Sequence, residues 1–89
     1  MILGKVVGTV WATRKDESLV GMAMQIVKHI DLEYKVKEQF VVAVNTVQAG
    51  VGDVVLVATG SSARQTAQTK NKPVDAVIMA VVDKIDVSE

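Results

Sequence analysis

ILGKVVGTVW, residues 2–11, is the stretch on which the fold turns. Leu3, Val7 and Trp11 fall on one side of an extended chain, and Ile2, Val6 and Val10 fall on the other. The period is two rather than 3.6, which predicts a strand with both faces covered. Gly4 and Gly8 interrupt it. Glycine inside a strand marks a bend or a close backbone approach, as at a barrel corner.

The same period recurs outward from there. TRKDES, residues 13–18, is a charged turn or loop. Residues 22–30 set Met22, Met24, Ile26, Lys28 and Ile30 against Ala23, Gln25, Val27 and His29, a second strand with one wetter face. DLEYKVKE, residues 31–38, is polar and has no clear period. Residues 40–44 are wholly apolar, and the glycine-rich turn QAGVGD leads into a fourth strand over 54–58. NKPVD, residues 71–75, is a turn, and residues 74–82 form the last strand. Five strands with one short insertion before the fifth predict a mainly β fold: a single domain over 1–89, built as a small, partly open, OB-like five-stranded barrel.

The insertion begins ATGSSARQT, residues 58–66, which looks at first like a phosphate loop. A P-loop requires four residues between its glycines and Lys-Ser/Thr after the second, and neither is here. Ser62 and Gln65 instead have the spacing of a capping box, so a short helix over about 63–70 is predicted. Arg64 would then lie at the positive end of that helix, where a cation is disfavoured and needs a partner. Asp53 and Asp75 are the candidates within the chain, and an acceptor on a neighbouring subunit is the alternative.

Composition narrows the function. The 89 residues are 49% hydrophobic but only 3% aromatic, more aliphatic surface than a small core needs. Ten basic residues balance ten acidic ones, which removes the positive footprint of a nucleic-acid or membrane-surface binder. An OB-like module for single-stranded nucleic acid is the alternative reading, but it would need a basic groove with stacking aromatics, and only Trp11, Tyr34 and Phe40 are present. No run approaches the ~20 apolar residues of a membrane helix, and Lys5 interrupts any signal-peptide core. No cysteine is present, and the single histidine, His29, can complete neither a metal set nor a triad. No catalytic residue, metal site or cofactor is expected, and the chain is not expected to be an enzyme.

Three ordered blocks, MILGKVVGTVWATRK, VAVNTVQAGVGDVVLVATGSSARQT and PVDAVIMAVVD, resemble the bacterial microcompartment vertex proteins of the EutN/CcmL type. The resemblance runs through nearly the whole chain, departing at GMAMQIVKHID and at Ala80, where a glycine is expected. It implies a structural shell protein of the cytoplasm. Such a chain forms a homopentamer that caps vertices of a compartment walled by hexameric shell proteins, without nucleic acid or membrane as partner. It also implies that Gly60, Ser61, Ser62, Ala63 and Arg64 lie near subunit contacts or the five-fold axis.

Overall fold

Val6, Val27, Ala43, Val55, Val57 and Ile78 meet with no exposed surface, and the strands that carry them close around that contact. In the computed structural model, which describes residues 1–88, these strands are β1 (Ile2–Val10), β2 (Met24–Ile30), β3 (Val36–Asn45), β4 (Val54–Thr59) and β5 (Ala76–Val81). They form a closed barrel in the order β1-β2-β3-β5-β4. Side chains no larger than Val and Ile fill it, which suits the narrow interior of five strands.

All neighbours are antiparallel except β3 and β5, which run parallel and pair only at Val44 with Val77 and Asn45 with Ile78. The partly open barrel expected from the sequence is therefore closed, but by a seam two rungs long. Beyond it the edges of β3 and β5 diverge.

The glycines of β1 act as the sequence implies. At Gly4 a Cβ would lie 2.7 Å from the Lys28 carbonyl oxygen and would also press on Val27, so β2 packs where only hydrogen fits. At Gly8 the register with β2 slips between Val6 and Gly8, a bulge that leaves Val7 exposed. Val6 bonds to the turn before β4, donating to Asp53 O at 2.9 Å and accepting from Gly52 N at 2.8 Å.

Element ends depart from the sequence reading where side chains intervene. β1 stops at Val10 and leaves Trp11 89% exposed. β2 starts at Met24, after a short 3-10 turn (Glu17–Leu19) and a positive-φ Gly21. β3 begins at Val36, four residues before the apolar run, because Asp31 Oδ1 accepts from the N–H groups of Glu33 and Lys35 and closes the β2–β3 hairpin. After β3, the Asn45 side chain pairs with both the N–H and the C=O of Ala49 and shapes the glycine-rich turn.

A second apolar cluster stands at one end of the barrel: Val44, Ala58, Ala63, Val74 and Val77, with Leu19, Met22 and Met24 against it. Here the segment between β4 and β5 folds back as a plug.

Candidate functional site

Gly60 takes φ +64 as the chain leaves β4, a conformation that favours glycine, and its N–H donates to Asp75 O at 2.8 Å. A 3-10 turn (Gly60–Arg64) follows. The helix predicted over 63–70 is absent, and the helical turn lies earlier. Ser62 is not its cap: Gln65 N donates to the Ser62 backbone carbonyl at 3.2 Å, and the residue at the cap position, Thr59, makes no side-chain cap bond.

Threonine hydroxyls explain why no α-helix continues. Thr69 Oγ1 donates to Ala63 O at 2.6 Å, taking the acceptor that the amide of residue 67 would need. Thr69 is fully buried, its Oγ1 meets Thr66 Oγ1 at 2.7 Å, and its N–H donates to Thr66 Oγ1 at 3.1 Å. The pair pins residues 65–72 against the 3-10 turn. Thr66 and Thr69 were not singled out by sequence reasoning, although their T-x-x-T spacing was the visible signal.

Arg64 ends the turn, so the cation sits at the end where backbone carbonyls favour it, not at the positive end expected. Its Nη1 donates to Val74 O at 3.0 Å. Within the chain neither expected carboxylate pairs with it. Asp53 lies at the opposite end of β4, where Oδ2 accepts from Gly50 N at 2.8 Å. Asp75 lines two clefts to which Arg64 does not contribute. Gly60, Ser61, Ser62 and Arg64 are exposed, whereas Ala63 is fully buried in the second cluster.

Those clefts open where β3 and β5 diverge. One, of about 340 Å³, lies between Val41, Val42, Thr59 and Ala76; the other, of about 210 Å³, lies between Leu19, Met24, Val42 and Pro73. Val42, Asp75 and Ala76 line both. On the outer face of β3, Phe40 is 59% exposed, and across the seam Met79 and Val81 of β5 are exposed too. The apolar excess legible in the composition is thus displayed on the barrel surface, beside the crossover.

Titratable groups are scattered. Asp16 is held below its ordinary range by the Ser18 hydroxyl and the Ser18 N–H, and Asp31 by the Lys35 and Glu33 amides. Among the described residues no three His, Cys, Asp or Glu side chains gather as a metal set. His29 is half-buried on β2, its Nε2 shut from solvent without a partner in the protomer. Among the described residues no helix is long and apolar enough to cross a membrane.

The fold is thus a closed five-stranded barrel with aliphatic outer faces beside an ordered crossover. The chain belongs to the family described as ethanolamine utilisation protein EutN/carboxysome, whose model matches residues 1–83. It is 40% identical over 86 residues to the bacterial microcompartment shell vertex protein GrpN of Rhodospirillum rubrum, covering 97% of each chain. A GrpN structure described as a pentameric microcompartment shell protein superposes with a TM-score of 0.90 at 39% identity, over 99% of this chain and all of that one. The carboxysome protein CcmL of Nostoc sp. PCC 7120 superposes with a TM-score of 0.94 at 39% identity, over 98% of this chain and 92% of that one.

Proposed function

We infer that this chain is a structural shell subunit that assembles into a pentamer and caps the vertices of a bacterial microcompartment. The observation that carries this reading is the end-to-end likeness to a pentameric shell protein, in a barrel whose outer faces are apolar. A ring is built from a heterologous contact, one patch of each copy meeting a different patch of the next. Phe40 and Val42 on β3, and Met79 and Val81 on β5, supply two such patches on opposite sides of the seam. Gly60 lines one of the clefts, and the block it opens, with Ser61, Ser62 and Arg64, is assigned to the subunit contacts or the axis, with Ala63 anchoring it from beneath. Asp75, exposed beside Val42, is the carboxylate this reading offers to a neighbouring Arg64.

The whole chain acts as one vertex domain without catalysis or cofactor, and its partners beyond its own copies are the hexameric tiles of the shell wall. A sheet of six-fold tiles closes only at points of lower symmetry, which gives a five-fold plug its role. The nucleic-acid alternative lacks a stacking platform: Tyr34 is at the hairpin tip, its hydroxyl receiving the Ile85 N–H, while Trp11 and Phe40 sit on other elements.

Native mass spectrometry tests the assembly. Five copies of 9.5 kDa give about 47.5 kDa, and a monomer or dimer at micromolar concentration defeats the reading. Phe40→Asp places a charge on the exposed patch and should dissociate the ring while leaving the barrel's circular dichroism intact. In cells, deletion should leave shell walls that form but fail to close, seen by electron microscopy as elongated or open compartments.

A further inference from the structure

The crossover also carries a groove that shares Ser61 and Arg64 with the block assigned above to subunit contacts or the axis. Ser61, Arg64, Gln65, Lys70 and Asn71 line it, around a volume of about 480 Å³. Two of the five are cations, the other three are neutral hydrogen-bonding side chains, and none is an acid. From Val54 to Val74 the chain holds three basic residues, Arg64, Lys70 and Lys72, and no Asp or Glu. Asp75, the next acid along, lines the two clefts beside Val42 and not this groove.

The walls are fixed in advance. One wall is the 3-10 turn bearing Ser61 and Arg64, whose guanidinium is steadied by the bond from Nη1 to Val74 O, its other donors having no acceptor among the described residues of the protomer. The other wall bears Lys70 and Asn71, and it is tied to the first through the buried Thr69 hydroxyl on Ala63 O and the Lys70 N–H on Thr66 O at 3.0 Å. Asn71 has φ +60, which turns the chain back at the groove's rim. A planar guanidinium fork and a primary ammonium held across one groove match an oxyanion with more than one charged oxygen. The volume lies within the range of small-molecule sites and exceeds what a bare ion needs.

We propose that this groove binds a small, multiply charged oxyanion, phosphate or the phosphate group of an organic ester, between Arg64 and Lys70. Ser61, Gln65 and Asn71 supply neutral donors to its remaining oxygens. All five lining residues come from one protomer, and the proposal requires that a neighbouring copy leave Arg64 donors open to the groove.

The test is a titration of the full-length protein with inorganic phosphate, followed by amide and side-chain NMR and repeated with chloride at matched ionic strength. Saturable shifts confined to residues around 61–71, absent with chloride, are expected. Lys70→Gln, an exposed substitution that spares the Thr69 bonds, should weaken phosphate binding about tenfold, whereas Lys84→Gln should not change it. Equal shifts with chloride, no saturation, or unchanged affinity in Lys70→Gln would overturn the proposal. Native mass spectrometry of the same samples separates this from the vertex reading. A ring without phosphate binding rejects the groove alone, and a monomer that binds phosphate rejects the vertex role alone.

Discussion

β4 and residues 60–75 are adjacent in sequence yet held by different forces. Val55 and Val57 point into a core of branched aliphatic side chains, and their backbone is paired on both sides, by β1 and β5. The crossover buries only Ala63 and Val74 in the second apolar cluster and depends on polar bonds: Thr69 to Ala63 O, Thr66 to Thr69, Arg64 to Val74 O. Apolar packing is non-directional and tolerates modest change, whereas each of those bonds has one geometry and few substitutes. Damage to the barrel should therefore spread through the whole protomer, and damage to the crossover should stay local.

Ile78→Ala is the strongest challenge to that contrast. Ile78 is fully buried in the barrel core, and truncating such a residue costs about 2–5 kcal/mol. Denaturant unfolding should show that loss in a single transition, with hydrogen exchange accelerated in every strand. Loss confined to β5 would break the comparison. Gly4→Ala is next. Its methyl group would meet Val27 and the Lys28 carbonyl, and overpacking of this kind costs about 1–3 kcal/mol. The β1–β2 ladder should open first, read as faster amide exchange in β1 and β2 than in β5.

Thr69→Val keeps the shape and removes the hydroxyl. Ala63 O then loses a partner in a buried place, a change worth about 1–3 kcal/mol. Exchange should quicken across residues 60–75 and stay slow in β1 and β2. If β1 and β2 loosen equally, the crossover is part of the core rather than an ordered plug.

The strands were legible because β-branched residues repeat at period two and glycine marks close approach, as Gly4 does against Lys28. The crossover was misread for a physical reason. Ser62 and Gln65 have capping-box spacing, but a positive-φ Gly60 and the Thr69 hydroxyl commit the same atoms elsewhere. The setting of Arg64 followed that error, since a different helical span reverses which end of the turn it occupies. The clefts beside Val42 were out of reach altogether: they exist because parallel β3 and β5 part after two rungs, a pairing between distant segments that no local pattern announces. The exposed apolar faces were foreshadowed by excess aliphatic content, though not which residues would show. Ser62→Ala separates the two versions of the crossover. A capping serine would cost about 0.5–2 kcal/mol on removal, whereas an exposed serine away from special contacts should change stability by under about 0.5 kcal/mol, measured by thermal melting.

The smallest expected effect lies at the hairpin tip, which resembles the crossover in being held by polar bonds but differs in being open to solvent. Asp31 Oδ1 accepts from Glu33 N at 2.8 Å and Lys35 N at 3.0 Å, and Lys37 Nζ stands 3.7 Å from Oδ2. The Lys35 amide, then the Glu33 amide, stabilise the ionised form, so the folded carboxyl titrates below its ordinary 3.8. A depressed folded value means the unfolded chain binds a proton first as pH falls. The contribution is therefore fully present above the ordinary carboxylate value and is lost as pH drops through the folded one. NMR of the Asp31 carboxyl carbon should give a midpoint below 3.8, and the Glu33 and Lys35 amide shifts should move with the same midpoint. Asp31→Asn keeps an acceptor oxygen without the charge, so the hairpin should still close and those amides should lose their acid transition. A midpoint at or above 3.8 would mean that the tip bonds do not favour the ionised carboxylate and that β3 begins at Val36 for another reason.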